Sequence, residues 1–205
     1  MLQKLKINII SLSILSIIGL VIICFTYLYY NYQFWSYLDT EHMVELTEYN
    51  GENIVGLKGR QILVNESFLP QMKQLGKFAS QNNLVLFVIH SYRPNGSLII
   101  NAIVNPVSLS NHQVGYAIDI NIKYKRKVYT SSDLRLDNMN NLPSSICRFL
   151  VQVRECKIMP WGGDFNIPDP VHVDYPLNIN NYNHFLTCKT MCTKDYTEAK
   201  RRWKF

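Results

Sequence analysis

The N-terminal region of this chain contains an uncharged apolar run that restricts the possible folds more than any other feature. The run covers residues 7–30, is 24 residues long, and consists mostly of Ile, Leu, Val and aromatic residues. A helix needs roughly 20 such residues to cross a bilayer. The sequence therefore predicts a cytoplasmic stub and a transmembrane anchor over residues 1–30, followed by a folded unit outside the hydrocarbon layer.

The charges on either side of the run predict its orientation. Lys4 and Lys6 precede it, whereas Asp39 and Glu41 are the first charged residues after it. The positive-inside bias keeps such an N-terminus in the cytoplasm, so a single-pass protein would place its domain on the extracytoplasmic side. A cleaved signal peptide is the alternative. Its apolar core is usually about 7–15 residues long and ends at small residues, and no Ala-x-Ala pattern follows here.

The length and charge of the chain limit its class and its partners. A chain of 205 residues is long enough for one ordinary domain with a sizeable core. The net charge is +6, and residues 200–204 form a basic run. Such a run is usually a solvated end; its functional alternative is attraction to an anionic surface, such as a cell-wall polymer or lipid headgroups. The sequence shows no basic helix and no aromatic-basic repeat, so we expect no nucleic-acid partner, and we expect a monomer.

Four cysteines follow the apolar run, at Cys147, Cys156, Cys188 and Cys192. An even number in an exported domain is compatible with two disulfides, and four reduced thiols are equally compatible with the sequence. Zinc binding through these thiols is a third alternative, although the spacings differ from those of paired Cys-x2-Cys knuckles. The sequence leaves the three alternatives open.

Apolar periodicity predicts two helices and three strands after the apolar run. Helical segments show apolar residues three and four positions apart, whereas strand segments are either continuously apolar or alternating. These elements are helices over residues 67–82 and 144–155 and strands over residues 84–90, 115–123 and 171–175.

This order of elements predicts an α+β domain over residues 66–205, with a small, mostly antiparallel sheet, flanking helices and a C-terminal extension. Residues 31–65 are predicted to be a juxtamembrane segment that leads into the domain. Residues 97–111 are predicted to be a loop or short irregular strands, because Pro and Gly interrupt the preceding apolar strand.

Two of the predicted strands carry potential metal ligands on one face. Asp119 lies in an apolar, alternating segment, where a carboxylate is costly unless an ion, an ion pair or hydrogen bonds compensate it. Since alternate strand residues share a face, Asp119 and His172 can each point away from the core. His112, in the loop before the first of these strands, can fold back over that face, and Gly115 permits the tight path. Two nitrogens and one oxygen with an open position form the pattern of a catalytic zinc site.

A fourth polar residue completes the candidate chemistry. Asp169 lies three residues before His172, in the sequence DPVH. A carboxylate there is a candidate general base that takes a proton from the attacking water and delivers it to a leaving amine. Each of these residues alone has an ordinary structural explanation, and only their combination indicates a metallohydrolase.

Three motifs resemble those of the VanY-type D-alanyl-D-alanine carboxypeptidases and the related L-alanyl-D-glutamate endopeptidases. SNHQVGYAIDI, at residues 110–120, resembles the family pattern S-x-H-x-x-G-x-A-x-D-[IVF]. WGGDF, at residues 161–165, and the later DPVHVDY resemble W-G-G-D-[WF] followed by [DE]-x-x-H-[FV]. VIHSYRP resembles V-T-S-G-Y-R-S, the element that carries the family's substrate-binding arginine. The three motifs occur in the family's order.

The resemblance implies a fold, a cofactor and a set of residue roles. The fold is the zinc-peptidase fold shared with lysostaphin-like enzymes and the hedgehog signalling domain, and the cofactor is Zn²⁺. The implied zinc ligands are His112, Asp119 and His172, and Asp169 is the implied general base. Arg93 would hold the substrate carboxylate or stabilise the oxyanion, a task that suits its fork of donors.

The resemblance also suggests residues around the substrate. Ser110 could contact the substrate near the metal loop or merely cap that loop, and Trp161 could be a substrate platform or a core aromatic residue. His90 replaces the small polar residue of the arginine element. We interpret it as a structural histidine, with a cleft-lining residue or a hydrogen-bond donor near the metal as alternatives.

Three hypotheses of different classes follow from these residues. The first is a membrane-anchored zinc peptidase that hydrolyses amide bonds in peptidoglycan stem peptides, as a D,D-carboxypeptidase or an L,D-type endopeptidase. The second is a catalytically inactive binding module of the same fold that retains the metal and recognises a partner. The third is a structural ectodomain without a metal, which would leave Asp119 in an apolar strand without an evident partner.

Overall fold

The chain forms one long N-terminal helix and a mixed α/β unit, and the computed structural model describes residues 2–32, 37–94 and 109–202. The helices are α1 (Leu2–Tyr32), α2 (Leu69–Gln81), α3 (Ser144–Glu155), α4 (Leu177–Asn180) and α5 (Tyr182–Glu198). The strands are β1 (Tyr37–Leu38), β2 (Leu46–Glu48), β3 (Ile54–Gly56), β4 (Leu63–Asn65), β5 (Val85–His90), β6 (Ala117–Tyr124), β7 (Lys127–Tyr129), β8 (His172–Asp174) and β9 (Arg201–Arg202). Short 3₁₀ helices lie at Leu57–Gly59, Glu66–Phe68, Asn111–Val114, Leu136–Asn141 and Gly162–Asp164.

Helix α1 is long and apolar enough either to span a membrane or to be a signal peptide, as the sequence predicts. The segment Ser11–Leu28 meets the length and composition of a membrane span, and none of it is buried in the protein. The hydroxyl groups of Ser16 and Thr26 donate to carbonyl oxygens one turn earlier, at 2.9 and 2.8 Å. These bonds satisfy both hydroxyl groups within the helix, which an apolar environment requires. The orientation of the helix across a membrane stays a prediction.

Strand β6, which contains the predicted ligand Asp119, lies at the centre of the main sheet. The strand order is β3-β5-β6-β7, and β8 pairs with β6 beside β7. Only β3 and β5 are parallel; β6 is antiparallel to β5, β7 and β8. The prediction of a small, mostly antiparallel sheet with flanking helices is therefore confirmed for the described residues.

The apolar face of this sheet forms the core. Leu86 pairs with Ile122, and Val88 pairs with Ile120, so these side chains lie on one face. They belong to the same buried cluster as the inward residues of α2 and α3. Burying each such side chain stabilises the fold by about 1.5–3 kcal/mol. Because β6 alternates, Asp119 is left on the opposite face.

The segment predicted to be juxtamembrane is part of the folded unit over the residues that the structure describes. Strand β2 pairs with β4, and β3 joins the main sheet beside β5. The Asp195 carboxylate of α5 accepts hydrogen bonds from the backbone N–H groups of Val44, Glu45 and Leu46, at 3.0, 2.7 and 2.9 Å. Residues 37–65 therefore fold with the domain: β2 and β4 pair with each other, whereas β5 and α5 supply partners from distant parts of the chain, which local patterns do not reveal.

The predicted helices and strands of the domain are confirmed with small shifts at their ends. Residues 97–108, predicted to be irregular, lie outside the described residues. Helix α5 was not predicted; its buried residues Phe185, Cys188, Cys192 and Asp195 recur at helical spacing, but two of them are small and one is charged. All five cysteines lie within the described residues and are free thiols, so the two-disulfide alternative is not realised.

Candidate functional site

Asp119 is a buried carboxylate on the polar face of β6. Its residue is 8% exposed, and it lies opposite His172 of β8 in the sheet register. Burial alone would raise the pKa of Asp119, but the charge of His112 and hydrogen bonds from His112, His172 and His90 lower it well below its usual value. The carboxylate is thus ionised and surrounded by three imidazoles, and their interactions compensate the cost of burying it.

The loop before β6 places His112 over this carboxylate. His112 lies in the 3₁₀ helix Asn111–Val114 and is 2% exposed. This helix ends at Gly115, whose φ of 72° is left-handed. A Cβ atom at Gly115 would also lie 2.4 Å from the backbone nitrogen of Asn65, so glycine is required for both conformation and space.

The hydrogen bonds of His112 determine which ring nitrogen faces the site. Nδ1 lies 2.8 Å from the carbonyl oxygen of Ser91, which can only accept, so Nδ1 carries the hydrogen. Nε2 then faces the site, 3.2 Å from Oδ1 of Asp119. A backbone carbonyl that fixes the tautomer in this way is typical of metal-ligating histidines.

His172 presents its other nitrogen to the same place. Its Nδ1 lies 3.0 Å from Oδ1 of Asp119 and 3.3 Å from Nε2 of His112. Its Nε2 faces Oδ2 of Asp174 at 3.6 Å. Asp174 is itself held by the side-chain amide of Asn111, whose Nδ2 donates to Oδ2 at 2.6 Å. The site-facing atoms are therefore Nδ1 of one imidazole and Nε2 of the other.

The three facing atoms have the spacing of a metal site. Potential ligand atoms of His112, Asp119 and His172 all lie within 4.8 Å of one another. The atoms identified above are 3.0–3.3 Å apart. A tetrahedral zinc ion bound at about 2.0–2.2 Å separates its ligands by roughly 3.3–3.5 Å. The donor set and its spacing therefore fit a zinc ion with a small expansion, and the cluster can hold a metal.

Asp169 lies beside this cluster on the turn that leads into β8. Its backbone N–H donates to the carbonyl oxygen of Gly162 at 2.8 Å, and its own carbonyl accepts from the N–H of His172 at 3.0 Å. A Cβ atom at Gly162 would lie 2.3 Å from the Asp169 carbonyl oxygen, which explains the glycine of the WGGDF motif. Burial and the Asp119 charge raise the pKa of Asp169, although His172 and His112 partly oppose this.

Arg93 approaches the same carboxylates from the end of β5. Its backbone N–H donates to the carbonyl oxygen of His112 at 3.0 Å. This bond connects the residues after β5 to the loop before β6 that contains His112. Burial lowers the pKa of Arg93, while the charges of Asp119 and Asp169 raise it. Its guanidinium is thus half-buried and within electrostatic range of both carboxylates.

The two other predicted substrate contacts have structural roles in the described residues. The Oγ of Ser110 accepts a hydrogen bond from the N–H of His112 at 3.4 Å and caps the 3₁₀ helix. Trp161 is 3% exposed, and its indole N–H donates to the carbonyl oxygen of Pro170 at 2.7 Å. The structure therefore corrects the platform interpretation of Trp161, because a ring this deeply buried offers no face to a substrate.

Two residues of the site were not assigned to it from the sequence: Asp174 faces His172, and Asn111 holds Asp174. His90 contacts Asp119, which agrees with the alternative of a hydrogen-bond donor near the metal and not with the preferred structural interpretation. The alternation of VHVDY does place Asp174 on the face of His172, so that signal was available. The contact of His90 depends on a bulge, and that of Asn111 on loop folding, and neither leaves a local pattern.

We expect the affinity for zinc to rise with pH. Burial lowers the pKa of His172, but hydrogen bonds and charges from Asp119 and Asp174 outweigh it and raise the pKa to about 10. At neutral pH the ion must therefore displace this proton, so the affinity should increase about tenfold per pH unit between about pH 6 and pH 8. Competition with a chelator measures it, with circular dichroism as the fold control. An affinity independent of pH would contradict a proton on His172.

Comparison with known families supports the resemblance seen in the motifs. The family model described as D-alanyl-D-alanine carboxypeptidase matches residues 104–175. This segment includes His112, Asp119, Asp169 and His172, and it supports the VanY-type family and a peptidase activity of the carboxypeptidase type. A search of curated proteins finds no match for the chain.

Proposed function

We propose that this protein, which carries a D-alanyl-D-alanine carboxypeptidase segment of the VanY type over residues 104–175, is a zinc-dependent peptidase that acts on peptidoglycan stem peptides. The observation that carries the proposal is the convergence of His112, Asp119 and His172, with Asp169 and Arg93 beside them. The hedgehog-like zinc-peptidase fold is part of the proposal. It is supported by the antiparallel pairing of β6 with β5 and β8.

The residues divide the catalytic work. His112, Asp119 and His172 would hold the ion, with the tautomer of His112 fixed by the carbonyl oxygen of Ser91 and Nε2 of His172 facing Asp174. When bound, zinc supplies a Lewis acid that polarises a carbonyl group and lowers the pKa of water to about 7. The Asp169 carboxylate accepts a proton from the attacking water and returns it to the leaving amine. Its raised pKa brings it closer to the operating pH, at which a carboxyl group can both accept a proton and donate it again.

Arg93 supplies a fixed positive charge next to this machinery. Its guanidinium can pair with the terminal carboxylate of a stem peptide or with the negative charge that develops on the scissile carbonyl oxygen. Both uses are open to a D,D-carboxypeptidase and to an L,D-type endopeptidase, because a γ-linked D-glutamate in a stem peptide carries a free α-carboxylate beside the scissile bond, as a terminal D-alanine does.

The N-terminal helix is proposed to anchor this domain to a membrane. Lys4 and Lys6 before the apolar run predict a cytoplasmic N-terminus and an extracytoplasmic catalytic domain. In that location, the domain faces the compartment in which peptidoglycan lies. Localisation and substrate thus support each other.

Digestion of purified muropeptides by the full-length chain in detergent tests the proposal. We expect mass spectrometry to show loss of a terminal D-alanine, or cleavage inside the stem, only in the presence of zinc. A chain that binds zinc and leaves every stem type intact would replace the enzyme by the second candidate, a catalytically inactive binding module that retains the metal. A chain that binds no zinc would refute both.

A further inference from the structure

The last residue of β5 is turned toward the metal face by an irregularity in the sheet. Along the β5–β6 ladder, Val88 pairs with Ile120, and the next pairing is His90 with Asp119. Two steps on β5 therefore match one step on β6, which is the signature of a β-bulge. In a regular ladder Ile89 would lie opposite Asp119. The bulge instead places an imidazole beside the buried carboxylate.

The contact between the two side chains is short and partly shielded from water. Nδ1 of His90 lies 3.0 Å from Oδ2 of Asp119, and the side chains are 30% and 12% exposed. Since an ionised carboxylate only accepts hydrogen bonds, Nδ1 is the donor. Hydrogen bonds to a charged group of this kind are stronger than bonds between neutral groups.

The two oxygens of Asp119 therefore have separate partners. Oδ1 faces His112 and His172 at 3.2 and 3.0 Å, whereas Oδ2 is bonded to His90. A carboxylate held on one oxygen cannot rotate freely, so it offers the other oxygen as a single ligand. Two-oxygen binding would use a further coordination position, which a catalytic site keeps open for water or substrate.

On these observations we propose that His90 is a positioning residue: it fixes the rotamer of Asp119 and keeps it a one-oxygen ligand. The inference rests on the proposed metal site and goes beyond it. It concerns a histidine where the similar family element has a small polar residue. His90 acts through Asp119 and does not itself need to contact the substrate. Its removal should therefore change metal affinity and coordination geometry, while the fold stays as it is.

Two substitutions of His90 separate positioning from simple space filling. His90→Ala removes the donor, and we expect the dissociation constant for zinc to rise about 10–100-fold, as for other residues that support metal ligands. His90→Asn keeps an N–H donor near the place of Nδ1, so we expect an affinity within about threefold of the original. His42→Ala, on an exposed histidine outside the site, is the matched control and should bind as the unchanged chain does.

The cobalt-substituted protein gives a second readout that does not depend on activity. The visible absorption of Co²⁺ reports ligand number and geometry. We expect His90→Ala to shift it and His90→Asn to retain it, in full-length chains whose thermal unfolding without metal is compared first. If His90→Ala binds zinc and gives the cobalt spectrum of the unchanged chain, the positioning role is overturned and the peptidase proposal stands. If the unchanged chain binds neither ion, the metal site itself fails.

Discussion

Substituting His112 is expected to abolish zinc binding and hydrolysis together. The unchanged chain should contain about one zinc ion, and a chain with only two of the three ligands should retain less than about a tenth of it after dialysis. His112 is the most buried of the three ligand residues, at 2% exposure, so water replaces its nitrogen poorly. Metal content of the purified full-length protein, measured by mass spectrometry of the elements, gives the result directly.

The choice of replacement decides how this result is interpreted. His112→Ala would also leave the carbonyl oxygen of Ser91 without its donor, and an unpaired buried group costs about 1–3 kcal/mol of stability. His112→Asn keeps a donor near the place of Nδ1 and removes only the ligand nitrogen. We expect it to lose zinc while its unfolding temperature stays close to that of the metal-free original chain. His42→Ala is again the control.

Retention of zinc by His112→Asn would contradict the ligand assignment. The ion would then lie elsewhere, for example at a free thiol such as Cys192, which is buried and lies 3.6 Å from the carbonyl oxygen of Val114 in the 3₁₀ helix of His112. Loss of zinc in both variants, with a normal fold in the asparagine variant, would support Nε2 of His112 as a ligand.

Much of the site could be predicted because it depends on strand alternation. An apolar strand that contains Asp119, and a second strand that contains His172, require only the two-residue period to place both groups on one face. The sequence predicts that the loop with His112 can fold back over this face because Gly115 permits a tight path, and Gly115 does adopt a left-handed φ. These are local rules, and the structure obeys them.

The remaining features depend on contacts between distant residues. The bulge that brings His90 to Asp119 is visible only in the pairing of two strands that are separated by residues 91–116. Likewise, β1 and the start of β2 were missed because their partners, β9 and Asp195 of α5, lie far along the chain. Trp161 could be assigned either to the core or to the cleft from its sequence position, and only its burial in the fold decides between them.

Replacing Asp169 by Asn is expected to separate metal binding from catalysis. The amide has nearly the same shape as the carboxylate and cannot accept the proton of the attacking water. We expect kcat/KM for muropeptide hydrolysis to fall about 10²–10⁴-fold, the usual contribution of a general base, while the zinc content stays at about one per chain. Asp169→Glu keeps a carboxylate on a longer arm and should recover part of the activity.

A neighbouring carboxylate provides the matched control for this experiment. Asp164 lies in the same turn-rich segment, but it is exposed and pairs with Arg154 at the surface, at 2.8 Å. An exposed pair of this kind contributes about 0–1 kcal/mol, so Asp164→Asn should change kcat/KM by less than about threefold. A normal rate in Asp169→Asn would place the base elsewhere, and loss of zinc would make Asp169 part of the metal site.

Burial and the charge of Asp119 raise the pKa of Asp169. The acid limb of the pH profile of kcat/KM should therefore lie above the ordinary range of an aspartate in the unchanged enzyme, and it should be absent from Asp169→Asn.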